Sequence, residues 1–82
     1  MDIDERRRTR TALGRLTDRE LEVLRLMAEG HSNVGISRRL YLSTKTVEAN
    51  IARTFHKLGL RPSADDNRRV LAVLTLLRHT EP

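Results

Sequence analysis

Apolar residues recur along this chain in a helical rhythm. Leu21, Leu24, Met27 and Ala28 stand three or four positions apart, with Val23 beside them. Thr17 and Glu20 ahead of them have the T-x-x-E spacing of a capping box, and Leu16 and Leu21 have that of a hydrophobic staple. Gly30 is placed to end the run. The pattern predicts a first helix near 18–29. Ser32, with Asn33 next to it, is positioned to cap a short amphipathic helix carried by Val34, Ile36, Ser37 and Leu40. Gly35 inside it costs about 1 kcal/mol relative to Ala, so this helix depends on its neighbours. Ser43 opens a third helix. Val47, Ile51, Phe55 and Leu58 stand at i, i+4, i+8 and i+11, one buried stripe, and Gly59 follows.

The run R-P-S-A-D-D-N, residues 61–67, collects breakers and reads as a loop. Asp65, Asp66 or Asn67 could cap a last helix, N-R-R-V-L-A-V-L-T-L-L-R-H. Its core face is expected to be Val70, Val73, Leu74 and Leu77, with Leu71 and Leu76 to either side. Strand-type alternation is absent. The expectation is all-α, four helices and no sheet. Residues 1–15 are polar and without apolar period. They read as a flexible tail, or as the end of a linker from an upstream domain, leaving 16–82 as the folded domain.

Composition narrows the function classes. Eighty-two residues make one small domain, and one Phe, one Tyr and no Trp leave an aliphatic core. The absence of cysteine excludes a disulfide framework and thiolate metal sites, and suits a reducing cytosol. The first ten residues lack the apolar core of a secretory signal. Nothing approaches the roughly 18–20 apolar residues that cross a bilayer, so no membrane partner is expected. His31, His56 and His79 are scattered, without metal-ligand spacing, and there is no glycine-rich phosphate loop. No catalytic residue, metal or cofactor is expected.

The formal charge is +5, unevenly spread. Residues 43–62 hold four basic side chains (Lys45, Arg53, Lys57 and Arg61) against Glu48 alone. Residues 16–42 and 63–82 are each balanced. A local cationic excess of this kind is the footprint of a polyanion partner, though solvated basic faces also serve solubility.

The excess opens on Y-L-S-T-K-T-V-E-A-N, residues 41–50. Two short helices, about 32–40 and 44–58, joined by about three residues, have helix-turn-helix spacing. Ser37 is small where they must approach, and Ile36, Leu40, Leu42 and Val47 supply apolar contacts about the turn. With the stripe of 47–58 turned inward, the free face carries Lys45, Glu48, Ala49, Ala52 and Arg53, ending near His56 and Lys57. Thr44, Lys45 and Thr46 at the helix start are placed to grip a phosphate. The plainer alternative is that the hydroxyls cap and Lys45 is merely solvated.

The order L-T-x-R-E, E-V-L, A-x-G-x-S-N, I-x-x-x-L, L-S-x-K-T-V and K-L-G resembles the LuxR/FixJ-type (NarL-like) helix-turn-helix domain of bacterial transcription regulators. The likeness is strong over about residues 16–60 and looser over the last helix. It implies a four-helix domain whose third helix reads the major groove of double-stranded DNA. It implies base-edge contacts from Glu48, Ala49 and Ala52, and backbone contacts from Asn33, Thr44, Lys45, Thr46 and Arg53. It implies a homodimer through the last helix, with which the extra apolar positions Leu71 and Leu76 are compatible. Packing of those two against the first helix within a monomer fits equally well. A cytoplasmic, nucleoid-associated protein is the corresponding expectation.

The sequence departs from the family at several points. Gly35 replaces an acidic or polar helix former, Ser37 an Ala, and Asn50 a common His. Glu48 stands where a basic residue is frequent, and the loop 61–67 is longer than usual. Glu48 could accept from cytosine N4, and the two alanines could touch only a thymine methyl, so affinity is expected to come mainly from phosphates. Two alternatives stay open. One is a sigma-factor-like region that binds promoter DNA and RNA polymerase. The other is a helical interaction module that no longer reads DNA.

Overall fold

The computed structural model describes residues 12–64 and 66–80, the side chain of Thr80 excepted. Most of the 1–15 tail, the cap candidate Asp65 and the last two residues lie outside this range. Four helices follow one another: α1 (Asp18–Ala28), α2 (Asn33–Leu40), α3 (Thr44–Lys57) and α4 (Arg68–Thr80). Residues 12–14 are also helical, and the described residues contain no strand.

Each of the first three helices starts on a hydroxyl. Thr17 Oγ1 accepts from the Glu20 N–H at 3.1 Å, and Glu20 Oε1 accepts from the Thr17 N–H at 2.9 Å, which closes the capping box. Ser32 Oγ accepts from Gly35 N–H at 3.1 Å and Ser43 Oγ from Thr46 N–H at 3.0 Å. At the start of α4, Asn67 Oδ1 accepts from Val70 N–H at 3.3 Å. The ends of α1 and α3 are alike. Gly30 and Gly59 take positive φ, 95° and 75°. The N–H groups that follow them reach back to Leu26 O (3.2 Å) and Phe55 O (2.8 Å). This Schellman geometry disfavours a Cβ at the glycine and satisfies carbonyls the helix cannot.

α1 is the organising element. It packs against α3 and α4, and α2 packs against α3. The core joins Val23, Leu24 and Met27 of α1, Ile36 of α2, Val47, Ile51 and Phe55 of α3, and Ala72 and Leu76 of α4. The inward stripe of α3 is the one its spacing predicts, with Leu58 partly buried at its end.

Two expectations need correction. Leu13 is buried and belongs to the core, so the folded unit begins before residue 16 and the tail reading does not extend through 12–15. The expected core face of α4 is also rotated. Ala72 and Leu76 are buried and Val73 packs beside them, while Val70, Leu74 and Leu77 are 52%, 38% and 45% exposed. Leu76 therefore faces the interior and is not available to a partner. Seven apolar residues in α4 surround most of its circumference, and period alone cannot choose among them. The small side chain of Ala72 decides, because it lets the helix lie close against its neighbours at full burial.

Candidate nucleic-acid interface

The second and third helices and their link form the motif expected from spacing. α2 ends at Tyr41, which adopts the left-handed conformation (φ 56°, ψ 41°) with its side chain 94% exposed. Leu42 N–H then bonds back to Ser37 O at 3.0 Å and turns the chain into Ser43. Ser37 is buried where the helices approach, and its hydroxyl donates to Val34 O at 2.7 Å.

The buried side of α3 includes polar residues as well as the apolar stripe. Asn50 Nδ2 donates to Thr46 O at 2.9 Å, and the wholly buried Thr54 donates to Asn50 O at 2.8 Å. These in-helix bonds engage the Asn50 amide NH2 and the Thr54 hydroxyl without a partner from another element. Asn50 thus belongs to the interior rather than to the outer face.

The outer face carries the residues singled out from sequence. Lys45, Glu48, Ala49, Ala52 and Arg53 are all exposed. Thr44 and Lys45 are exposed at the first turn, and their side chains have no bonding partner among the described residues. The backbone N–H groups of that turn and its dipole favour an anion there. Thr46 is less free, because its hydroxyl accepts from Ser43 Oγ at 2.9 Å. Asn33, the first residue of α2, is partly buried, and its Oδ1 accepts from Arg69 Nη1 at 2.8 Å.

Sequence reasoning assigned Glu20 only to a cap, yet it is also the electrostatic centre of the fold. Its carboxylate has 1% of its surface exposed. Lys57 Nζ donates to Oε1 at 2.7 Å and Arg53 Nε to Oε2 at 3.2 Å. Burial works against the charged carboxylate. The bonds from Lys57, the Thr17 N–H and Arg53 outweigh it and hold the group below the usual carboxylate range. The partners lie 33 and 37 positions away, so no local spacing shows them. One signal was present: Glu20 shares a helical stripe with Val23, Leu24 and Met27, and an acid on a buried stripe needs a cation.

Lys57 is consequently turned back into the fold, its side chain 29% exposed. Arg53 is 55% exposed and keeps its two terminal nitrogens free of partners among the described residues. Arg68 lies over the Phe55 ring at 5.0 Å from its centre, which ties α4 to the end of α3. No group of His, Asp or Glu among the described residues is arranged to hold a metal ion. No helix there is long and apolar enough to cross a membrane.

Comparison with known proteins agrees with this geometry. The family model for bacterial regulatory proteins of the luxR family matches residues 14–75. A Mycobacterium tuberculosis protein named as an HTH-type transcriptional regulator is 43% identical over 56 residues, 68% of this chain and 6% of the relative. The oxygen regulatory protein NreC of Staphylococcus aureus is 48% identical over 46 residues, 56% of this chain and 21% of NreC. The chain thus spans about a fifth or less of the length of these relatives. No solved structure gives a significant match. With the family model covering most of the chain and the expected helices in their expected order, this protein belongs to the luxR family of bacterial regulatory proteins.

Proposed function

We propose that this domain binds double-stranded DNA with sequence preference, as the output unit of a cytoplasmic, nucleoid-associated transcription regulator. The observation that carries the reading is the two-sidedness of α3. Val47, Ile51 and Phe55 are buried, and Lys45, Glu48, Ala49, Ala52 and Arg53 lie exposed on the other side. In this reading α3 lies in the major groove. Thr44, Lys45, Thr46 and Arg53, with Asn33 from α2, hold phosphates, and Glu48, Ala49 and Ala52 face base edges. Thr46 contributes chiefly through its backbone, since its hydroxyl is engaged with Ser43.

The domain pairs with a second copy through α4. Val70, Leu71, Leu74 and Leu77 form an exposed apolar strip there, and this strip takes the place of the pair Leu71 and Leu76. A self-complementary patch of this kind suits a two-fold dimer.

Titration of a labelled duplex by fluorescence anisotropy over a range of salt tests the proposal. Binding should weaken steeply with salt, and Lys45→Ala and Arg53→Ala should each reduce the log–log slope by about 1. Glu48→Gln should change base preference instead. Duplex affinity unaffected by salt and by both cation replacements would mean that this face does not meet DNA.

A further inference from the structure

Arg69, near the start of α4, reaches across to the start of α2. Its Nη1 lies 2.8 Å from Asn33 Oδ1 and its Nη2 lies 2.8 Å from the His31 carbonyl oxygen. The two acceptors flank Ser32, the cap of α2, whose hydroxyl is already engaged by the Gly35 N–H at 3.1 Å.

The chemistry of the pair fixes how the amide of Asn33 is turned. A guanidinium has only donors, so the amide atom against it must be oxygen. The NH2 group is therefore directed away from Arg69, and it has no partner among the described residues. Without Arg69 the amide could rotate and present either end. An amide oxygen repels a phosphate, and an amide NH2 donates to it. The cation behind the oxygen also polarises the amide and strengthens its remaining donors. The bond to the His31 carbonyl anchors the guanidinium to the loop that carries α2, which a single-point ammonium could not do in the same plane.

We infer that Arg69 is a positioning residue for DNA-backbone binding: it holds the Asn33 amide with its donors outward, ready for a phosphate. The inference rests on the proposed DNA-binding reading. It joins the helix assigned to pairing with the helix pair assigned to DNA, through one side chain.

The test is a double-mutant cycle in the full 82-residue chain, read by anisotropy on a labelled random-sequence duplex at low salt. Arg69→Lys keeps the charge and loses the fork. It should weaken binding about three- to tenfold, and Asn33→Ala should do the same. In the Asn33→Ala background Arg69→Lys should then have no further effect. Thermal melts by circular dichroism run beside each variant, and Lys45→Ala and Arg53→Ala serve as controls. A merely structural Arg69 would lower the melting temperature and weaken binding equally in both backgrounds, which overturns the inference. So does a neutral Asn33→Ala or a neutral Arg69→Lys while the two control replacements weaken binding. If the controls are neutral as well, it is the DNA-binding reading that fails, and this inference with it.

Discussion

Lys57 Nζ sits 2.7 Å from Oε1 of Glu20, a carboxylate almost wholly removed from solvent. The same carboxylate closes the cap of α1 and holds Arg53 on the outer side of α3. One acid thereby sets the start of α1, the pitch of α3 against it and the direction of an exposed arginine. A buried carboxylate survives this way only because every partner is a donor and two are cations.

The arrangement makes stability depend on acidity in a defined window. Glu20 is held below its usual value of 4.5 in the folded chain. A lowered carboxylate contributes fully above its unfolded pKa, and the contribution disappears as pH falls through the folded one. Urea unfolding should therefore give constant stability from this group at neutral pH and a decline beginning near pH 4.5. Glu20→Gln should lower stability at pH 7 and flatten the acid limb. Parallel curves for Glu20→Gln and the parent would show that another carboxylate governs the limb.

Lys57 and Arg53 should separate by function although both touch Glu20. Lys57→Gln removes the shorter and more buried bond and should cost about 1–2 kcal/mol of unfolding free energy. It should leave the salt slope of duplex binding nearly unchanged, because Lys57 faces inward. Arg53→Ala should do the reverse, with a small stability cost of about 0.5 kcal/mol, because the arginine is 55% exposed and Lys57 and the Thr17 N–H still hold Glu20, and a slope lower by about 1. Chemical denaturation and salt titration of the two variants measure both quantities. A slope reduced equally by Lys57→Gln would show that Lys57 leaves Glu20 to meet DNA.

The local marks of this fold were legible because each depends on neighbours in sequence. Thr17 with Glu20, Ser32, Ser43, Gly30 and Gly59 announce helix ends through bonds made within one turn. The stripe Val47, Ile51 and Phe55 announces the buried side of α3 and hence its free side. What was hidden depends on packing between distant segments. Glu20 with Lys57, and Arg69 with Asn33, are long-range pairs without any periodic signature. The rotation of α4 was hidden for a different reason: its apolar residues outnumber one face, and only the contact at Ala72 selects which are buried. Leu13 was missed because a single buried leucine in a charged segment makes no pattern.

Two backbone sites should accept stabilising changes. Tyr41 holds a left-handed conformation that costs an ordinary residue about 1–2 kcal/mol, and its side chain buries almost nothing. Asn adopts that conformation more readily, so Tyr41→Asn should raise stability by about 0.5–1 kcal/mol. Gly35 lies within α2, and a Cβ there would meet Ser32 Oγ at 3.5 Å and His31 Cβ at 3.6 Å, ordinary contact. Gly35→Ala should add about 0.5–1 kcal/mol. Each change should raise the melting temperature by about 2–8 °C. A loss of stability in Tyr41→Asn would mean that the phenol has a packing role its exposure conceals.

The two faces of α4 should respond to substitution in opposite ways. Leu76 is 5% exposed, so Leu76→Ala leaves a cavity in the core and should cost about 2–4 kcal/mol of folding free energy. Leu74 and Leu77 are 38% and 45% exposed on the other side. Replacing both with Glu should leave the unfolding of the monomer within about 1 kcal/mol, since surface changes are mild. The same double replacement should abolish self-association, because two copies of a like-charged strip cannot meet at a two-fold axis. Sedimentation of the parent and the Leu74→Glu, Leu77→Glu variant over a concentration series reads the second effect, and urea unfolding reads the first. If the parent stays monomeric at concentrations where it binds DNA, pairing through this strip is not part of how the isolated domain works. If instead the double Glu variant unfolds, these side chains are part of the monomer's packing, and the assignment of faces on α4 must be reversed.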